Sequence, residues 1–336
     1  DLPFDVIQID DGWQANISDW EANKKFPSGM AAMAESIRKS GRRAGLWLAP
    51  FVARDNSPLY RNHPDWFLSD DKGNPVLAHN NWGGPVYALD TTHPSALEWI
   101  ATLIKKVRGW GYDYLKLDFM SAGALPGKRF EDAPRETAYR RGLQTIREAA
   151  GDVYVLACGA PILPSIGLCD GLRVGPDTAS YWKNKIIEVF PTNHTAPEAF
   201  NALRISLERY WLNRLVHIDP DVVYFRSKYC SLTNEQKKMT RDLGAITGFK
   251  AISDLPDWLI PSDKAAIRAY LELNSTVEQV DWYRFKIDGR EVDFHETVKV
   301  TKQLSTKYDP VRVEKLLHLF EILNVGLPAL LESRKK

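Results

Sequence analysis

The sequence has few of the features that tie a chain to a membrane, to nucleic acid or to a disulfide framework. Its 336 residues include three cysteines and no Cys-x-x-Cys pair, which argues against a disulfide scaffold and favours a reducing, cytoplasmic location. The net charge is +1, and no basic run precedes the final "SRKK", so we expect no nucleic-acid partner. No apolar run reaches membrane-spanning length, so we expect no membrane partner either.

Signatures of common catalytic centres are also missing. The seven histidines form no His-Glu-x-x-His or paired-ligand spacing, and the sequence contains no Gly-x-Ser-x-Gly elbow and no phosphate-binding glycine loop. We therefore expect no metal and no cofactor. Asp10 and Asp11 could bind Mg²⁺, but Gly12-Trp13 follows and no third ligand is evident, so sugar-hydroxyl binding is the better interpretation. Tryptophan is abundant, with 11 residues, and indole faces commonly stack on sugar rings or fill a core.

Strand-like and helix-like runs alternate along the chain, which predicts repeated βα units around a parallel sheet. The closed form of this arrangement is the (β/α)₈ TIM-type barrel, which needs eight strands. Seven candidates are recognisable, so we predict an α/β fold, a TIM-type barrel that lacks its first strand in this chain. The candidates cover residues 4–13, 43–51, 112–120, 152–160, 171–177, 214–221 and 249–255.

The pattern changes near residue 275. Residues 1–275 are expected to form the catalytic barrel, and residues 276–336 a separate C-terminal tail. In the tail, "WYRFKIDGREVDF" (282–294) alternates around an Asp-Gly pair and predicts a β-hairpin, and residues 309–326 predict one amphipathic helix. Helices of the barrel part are predicted at residues 28–41, 93–111, 133–151 and 197–212.

Polar residues follow the apolar run of almost every strand candidate. For a single aspartate, capping of the next helix would explain this position. Capping does not explain "YDYLKLDFM" (112–120), where Lys116 and Asp118 lie two residues apart on the same face of an apolar strand. We expect Lys116 to pair with Asp118 and keep it ionised as a nucleophile; a purely structural ion pair is the alternative. The acidic residues at strand ends are Asp10, Asp11, Asp118, Asp177, Asp219, Asp221 and Asp254, and Trp47 and Cys158 take similar places.

A second carboxylate of interest lies in "LRVGPDTASYW". Arg173 and Asp177 flank a Gly-Pro break, so Asp177 is expected where the strand ends and the chain turns outward. Glycoside hydrolysis uses two carboxyl groups, one that stays ionised and one that gives and takes a proton. One carboxylate fixed as an anion and one that is paired less tightly match these two roles. Asp118 and Asp177 are therefore the candidate catalytic pair.

Eight segments follow one another between residues 4 and 255: "IDDGWQ", "KFPSGM", "GLWLAPF", "HPDWFL", "YALDTTHP", "YLKLDF", "CGAPILPSIGLCDGLRVGPDT" and "DPD". In this order they resemble the α-galactosidases (melibiases) of glycoside hydrolase family 36. The resemblance implies a (β/α)₈ barrel that hydrolyses terminal α-galactosides of oligosaccharides with retention, with Asp118 as the nucleophile and Asp177 as the acid/base. Positions that would line the galactose pocket are Asp10, Asp11, Trp47, Lys116, Cys158 and Arg173.

The chain departs from this family at both ends. Family members carry an N-terminal β-sandwich domain and a first barrel strand before "DDGW", and they continue into a C-terminal β-domain, so we interpret the sequence as a fragment. The strands at 4–13 and 249–255 would then present unpaired edges. Such edges favour pairing with another chain, so we expect a homo-oligomer, poor solubility or low activity.

Other functions stay open. An α-N-acetylgalactosaminidase or a transglycosylase of the raffinose-synthase type would use the same residues, and an N-acetyl substrate would need extra room near Cys158. The missing strand favours a catalytically inactive sugar-binding fragment. A metal-dependent hydrolase comes third, and insensitivity to a chelator would exclude it.

Overall fold

The computed structural model describes residues 2–183 and 196–299. The chain divides into two compact units. The first unit comprises Phe4–Val174 and Leu212–Asp219. Of the described residues, the second comprises 2–3, 175–183, 196–211 and 220–299.

Short apolar runs form the strands of the first unit. The runs "GLWL" and "YVLA" are continuous rather than alternating, as expected for strands of a parallel sheet that is covered on both faces. In chain order the strands are β1 (Val6–Ile9), β2 (Gln14–Asn16), β3 (Asp19–Ala22), β4 (Arg43–Leu48), β5 (Val52–Arg54), β6 (Leu77–Asn81), β7 (Gly84–Ala88), β8 (Tyr114–Leu117), β9 (Tyr154–Ala157), β10 (Gly171–Arg173) and β11 (His217–Asp219).

Within the described residues, six of these strands form one parallel sheet in the order β1-β4-β8-β9-β10-β11. Leu46 of β4 lies opposite Ile9 of β1 on one side and Leu115 of β8 on the other, so the first three strands share one register. These six strands confirm six of the seven that were expected, and the chain is an α/β protein. Because the strands run in the same direction, their carboxyl ends lie at one edge of the sheet.

Helices connect the strands of the parallel sheet. They are α1 (Gly29–Lys39), α2 (Pro58–Asn62), α3 (Pro94–Gly109), α4 (Arg135–Ala150) and α5 (Ile162–Ser165). The start of α3 shows why the sequence turns helical there: Pro94 occupies the first turn, and Nδ1 of His93 accepts the backbone N–H of Ser95 at 3.2 Å. The helices expected near 28–41, 93–111 and 133–151 are thereby confirmed as α1, α3 and α4.

Two small antiparallel sheets also belong to the first unit. One pairs β2 with β3, and the other has the order β5-β7-β6. Trp82 and Gly83 form the turn between β6 and β7, and both have a positive φ, 50° and 81°. This conformation is ordinary for glycine but uncommon for tryptophan. Arg54 of β5, whose side chain is buried, donates a hydrogen bond to the carbonyl oxygen of Trp82 and fixes the turn.

The second unit combines helices with an antiparallel sheet. Its elements are α6 (Ala199–Glu208), α7 (Asn234–Thr247), α8 (Pro261–Glu272), β12 (Val277–Gln279), β13 (Arg284–Ile287), β14 (Arg290–Asp293) and α9 (His295–Val298). Strands β13 and β14 join at Asp288-Gly289, whose φ values of 49° and 80° are both positive, as a two-residue hairpin turn requires. The hairpin expected at 282–294 is confirmed, and β12 adds a third strand. Phe285 is fully buried and packs in one core cluster with Leu203 of α6.

The strand expected at 249–255 does not form, and this prediction is wrong. Ala251 makes only an isolated parallel bridge to Val222. The next acidic residue, Asp254, accepts the backbone N–H groups of Phe225 at 2.6 Å and Arg226 at 3.2 Å. This segment is therefore fixed by hydrogen bonds from backbone to a side chain, which satisfy polar groups without a strand ladder.

Helix α6 confirms, in a shorter form, the helix expected at 197–212. The helix expected at 309–326 lies outside the described residues. None of the helices in the two described ranges is both long enough and apolar enough to cross a bilayer.

Close packing at the middle of α4 gives a stability prediction. A Cβ atom on Gly142 would lie 2.8 Å from both Phe51 Cζ and Thr91 Cγ2. Helix propensity alone favours alanine over glycine by about 1 kcal/mol, whereas overpacking a core costs about 1–3 kcal/mol. We expect Gly142→Ala to lower the free energy of unfolding in urea by up to about 2 kcal/mol, the overpacking cost less the propensity gain.

Gly109→Ala at the end of α3 is the matched control, because no packing neighbour beyond its own stretch of helix lies within 4 Å of its Cβ position. It should not destabilise the protein. If both variants unfold at the same urea concentration, the packing around Gly142 is looser than described.

Candidate active site

The carboxyl edge of the parallel sheet collects polar residues that the sequence had singled out. Asp10 and Asp11 follow β1, Trp47 lies in β4, and Asp118 directly follows β8. Trp47 is in register with Lys116 of the neighbouring strand. Since the strands are parallel, these residues from distant parts of the sequence come together at one edge.

The ammonium group of Lys116 pairs with Asp10. Its Nζ lies 2.8 Å from Asp10 Oδ2, which also accepts a hydrogen bond from Gln8 Nε2 at 2.8 Å. The expected pairing of Lys116 with Asp118 is therefore wrong. A spacing of two residues does place both side chains on one face, but the flexible four-carbon stem of lysine reaches across β4 to the end of β1.

The charge of Lys116 is stabilised by this contact. Burial by itself would lower the pKa of the ammonium group, because a charge is poorly solvated there. The Asp10 carboxylate acts in the opposite direction, and the net result is a pKa raised above the ordinary value of lysine. The site therefore contains a fixed positive charge at neutral pH.

Asp118 is held by neutral N–H donors. The indole Nε1–H of Trp47 donates to Oδ2 at 3.1 Å, and the backbone N–H of Phe119 donates to Oδ1 at 2.8 Å. Phe119 has φ 54° and ψ 30°, a left-handed conformation that is uncommon for a bulky residue. These two donors fix the orientation of a half-buried carboxylate, which is what a nucleophile requires.

Asp11 is anchored by two side chains. Gln14 Nε2 donates to Oδ1 at 2.7 Å, and Trp82 Nε1 donates to Oδ2 at 2.7 Å. The ring of Trp82 lies 6.0 Å from that of Trp47 and 5.0 Å from that of Phe119, measured between centroids. One indole thus connects Asp11 with both residues that hold Asp118.

Cys158 follows β9 and is buried. Burial raises the pKa of its thiol well above the ordinary value, although the positive charge of Arg173 acts in the opposite direction. The thiol also feels the charges of Asp118 and Lys116, so it belongs to the same site. A neutral thiol is a poor nucleophile.

Arg173 forms a buried ion pair with Asp219. Its Nε lies 2.7 Å from Asp219 Oδ2, and the two side chains are 7% and 1% exposed. The two residues face each other in the register of β10 and β11. Removing one partner of such a pair leaves an uncompensated buried charge, which typically costs about 3–5 kcal/mol. The sequence had singled out both residues but had not predicted that they pair.

Asp177 belongs to the second unit, where it is exposed. Its backbone carbonyl accepts the N–H of Glu198 at 3.1 Å. The next residue, Thr178, donates its backbone N–H at 2.7 Å to Asp221, a buried residue with a left-handed φ of 73°. Because β10 ends at Arg173, Asp177 lies beyond the end of a strand, as its Gly-Pro break predicted.

Three residues near Asp118 were not predicted from the sequence: His79, Trp82 and Phe119. The rings of His79 and Phe119 are stacked, with centroids 4.3 Å apart and an angle of 18° between their planes. A signal was present in "HNNWGG", where a tryptophan precedes two turn-forming glycines. It was weak because only the tertiary structure shows that this turn meets the end of β8.

His79 is neutral in the folded protein. Burial lowers the pKa of its imidazole to about 4, although the nearby Asp118 carboxylate acts in the opposite direction. Its Nε2 atom is buried and has no hydrogen-bond partner within the described residues. A neutral ring packs against Phe119 without placing a second cation beside Asp118.

No group of three or more His, Cys, Asp or Glu side chains in residues 2–183 and 196–299 is arranged to hold a metal ion. The site instead offers carboxylates, an ammonium group, a guanidinium group and aromatic rings. Hydrogen-bonding groups beside aromatic faces suit a polyhydroxylated ligand.

The arrangement is that of an α/β protein with its site at the carboxyl edge of a parallel sheet. A sequence model of the Melibiase family matches residues 1–146. A solved α-galactosidase of Thermus thermophilus, in complex with p-nitrophenyl α-D-galactopyranoside, is 49% identical and superposes with a TM-score of 0.83. That match covers 88% of this chain and 60% of the Thermus chain.

Two curated proteins match shorter stretches. The α-galactosidase AgaA of Geobacillus stearothermophilus is 29% identical over 155 residues, which are 42% of this chain and 20% of that protein. The A type blood α-D-galactosamine galactosaminidase of Flavonifractor plautii is 32% identical over 123 residues, or 34% of this chain and 11% of that protein. The chain thus spans less than two thirds of each of these three proteins. These matches confirm the resemblance: the chain is related to the α-galactosidases of glycoside hydrolase family 36.

The partner of Lys116 can be tested by titration. We expect Asp10→Asn to lower the pKa of Lys116 below the ordinary value of lysine, because burial then acts without its main opposing charge. Asp118→Asn is the matched control and should leave the Lys116 pKa raised. NMR titration of the lysine side-chain signals measures both values. A larger fall in the Asp118 variant would restore the pairing that the sequence had indicated.

The low pKa of His79 predicts a specific loss of stability in acid. The ring is neutral in the folded state down to about pH 4, whereas a histidine in the unfolded chain titrates near about 6.5. The contribution of His79 to stability is therefore complete when the pH is above its pKa in the unfolded chain. This contribution is lost as the pH falls towards its pKa in the folded protein.

Between pH 7 and pH 5, the wild type should lose about 1–2 kcal/mol more unfolding free energy than His79→Phe, which keeps an aromatic ring against Phe119. Urea denaturation at the two pH values measures the difference. Identical losses in both proteins would mean that His79 titrates normally.

Proposed function

We propose that the chain carries the active site of a retaining glycoside hydrolase that removes terminal α-D-galactosyl residues from oligosaccharides. The match to the Melibiase family over residues 1–146 supports this proposal. Further support comes from the Thermus thermophilus α-galactosidase, which was solved with an aryl α-galactoside and with stachyose. The partner implied for this chain is therefore an α-galactoside oligosaccharide.

We also propose that the six parallel strands belong to a (β/α)₈ barrel formed by residues 1–275, with residues 276–336 as a C-terminal tail. Neighbouring strands in a barrel of this type follow one another in sequence, and the order β1-β4-β8-β9-β10-β11 agrees with that rule. Strands β2, β3, β5, β6 and β7 belong to small antiparallel sheets and not to the parallel sheet.

The setting of Asp118 is the observation that carries the proposal. Its carboxylate follows β8 at the carboxyl edge of the sheet, and Trp47 and Phe119 each donate one hydrogen bond to it. In a double displacement, the nucleophile attacks the anomeric carbon from one side of the sugar ring and forms a covalent intermediate. Two donors that fix the carboxylate restrict it to one direction of attack. We assign Asp118 as the nucleophile.

Asp177 is assigned as the acid/base on the family motif "RVGPD" and on its environment. The acid protonates the departing oxygen and then, as a base, deprotonates the incoming water. It must therefore exchange protons with solvent during each cycle, and an exposed carboxyl group can do so. The buried Asp221 nearby in the second unit lacks this access.

The remaining residues would bind the sugar. Charged side chains with fixed partners present hydrogen-bond donors and acceptors to the sugar hydroxyl groups. The indole of Trp47 presents a flat apolar face, and the neutral thiol of Cys158 sets the width of the site. The residues assigned to sugar binding are Asp10, Asp11, Trp47, Lys116, Cys158 and Arg173.

An α-N-acetylgalactosaminidase activity is a second candidate, favoured by the 32% identity to the galactosaminidase of Flavonifractor plautii over 123 residues. Parallel assays with p-nitrophenyl α-galactoside and its N-acetylgalactosaminide analogue separate the two activities. Glycosyl transfer to a sugar acceptor would indicate a transglycosylase. Binding of galactose without release of nitrophenol would indicate an inactive sugar-binding chain.

Two variants should separate the proposed catalytic carboxylates. Dinitrophenolate departs without protonation, so Asp177→Ala should lose most activity on melibiose but still form the glycosyl-enzyme from dinitrophenyl α-galactoside. Azide needs no general base and should then give the α-configured galactosyl azide. Asp118→Gly can form no covalent intermediate, and azide should give the β-configured product. Product analysis by NMR identifies each anomer.

Asp71→Ala, a change of an exposed loop aspartate, is the control and should retain full activity. If Asp177→Ala is equally impaired on both substrates and azide has no effect, the acid/base assignment is wrong. Asp221 and Asp219 are then the next carboxylates to test.

A further inference from the structure

Trp82 occupies an unusual place at the tip of the β6–β7 hairpin. Its indole Nε1–H donates to Asp11 Oδ2 at 2.7 Å, and its backbone N–H donates to Asn81 Oδ1 at 2.7 Å. Arg54 donates to its carbonyl oxygen. Both backbone polar groups and the indole nitrogen are therefore bound, and the ring is held in one orientation.

This orientation requires backbone strain. A tryptophan at φ 50° lies in the left-handed region, which is unfavourable because Cβ is too close to the carbonyl oxygen. Glycine at this position would avoid the strain, as it does at Gly83. Strained bulky residues persist where the surroundings over-determine them, and they cluster at functional sites.

A second strained aromatic residue lies beside it. Phe119 also has a left-handed φ, 54°, and its ring is in edge-to-face contact with Trp82 at 5.0 Å. We call His79, Trp82 and Phe119 the aromatic wall. All three residues are half-buried rather than fully enclosed, so the aromatic wall keeps some exposed surface.

We propose that Trp82 is a sugar-binding residue that acts in two ways: its indole N–H holds Asp11 in the orientation that accepts a sugar hydroxyl, and its ring packs against the bound sugar. The inference rests on the proposed galactoside site and adds a recognition residue to it. Asp11 Oδ2 keeps further acceptor capacity after binding the indole, because a carboxylate oxygen can accept more than one hydrogen bond.

The test removes the indole N–H and keeps an aromatic ring at position 82. Trp82→Phe keeps an aromatic ring on the same backbone and deletes only the indole N–H and part of the ring area. Since a hydrogen bond to a carboxylate is a strong one, we expect galactose to bind about tenfold more weakly, with little change in kcat and an unchanged melting temperature. Calorimetric titration with D-galactose measures the affinity independently of turnover.

A set of monodeoxygalactoses makes the test specific to Asp11. Asp11→Asn should weaken the binding of galactose because a hydrogen bond to one sugar hydroxyl is lost. On the deoxy sugar that lacks this hydroxyl, Asp11→Asn should no longer weaken binding, and this identifies the hydroxyl. On that same deoxy sugar, Trp82→Phe should also lose most of its effect, because the indole acts through Asp11. Trp66→Phe is the matched control: this half-buried tryptophan of the same unit stacks on His63 at 3.9 Å, and its variant should bind every sugar as the wild type does.

Wild-type affinity for galactose in Trp82→Phe would overturn the inference, and so would an equal loss on every deoxy sugar. Either result leaves the proposed function intact. If the wild type binds no galactose and cleaves no α-galactoside, the proposed function and this inference fail together.

Discussion

The ion pair between Lys116 and Asp10 connects the ends of β8 and β1 across the intervening strand β4. The rest of the site depends on this contact. It places a charged lysine at the carboxyl edge of the sheet without leaving a buried ammonium group unpaired, which would be strongly unfavourable. It also directs the lysine away from Asp118, so the neighbouring carboxylate must be held by other groups.

Those other groups are N–H donors. Trp47 and Phe119 bind Asp118, and Trp82 binds Asp11, so the carboxylates are oriented by directional bonds rather than by direct ion pairs. A hydrogen bond fixes both distance and angle, whereas the attraction of a point charge fixes only distance. Two of the three donor residues, Phe119 and Trp82, have left-handed backbone. Strain at these two positions is therefore linked to the orientation of the site.

Much of the fold could be predicted from local pattern. Continuous apolar runs identified six strands of the parallel sheet, and the Asp288-Gly289 pair identified the β13–β14 hairpin, because these signals depend on neighbouring residues only. The segment at 249–255 has similar apolar character. Its outcome was decided by Asp254, which satisfies backbone N–H groups of Phe225 and Arg226, and no local pattern reports such a partner.

The sequence by itself determined which residues carry polar groups at the carboxyl ends of the strands, and hence Asp10, Asp11, Trp47, Lys116 and Asp118 as candidates. Only the tertiary structure decided which of them pair. Strand periodicity states the face on which a side chain lies, but a lysine stem and an indole reach beyond their own strand. Lys116 therefore finds Asp10, and Trp82 finds Asp11, because sheet order and the β6–β7 turn bring together residues that are distant along the chain.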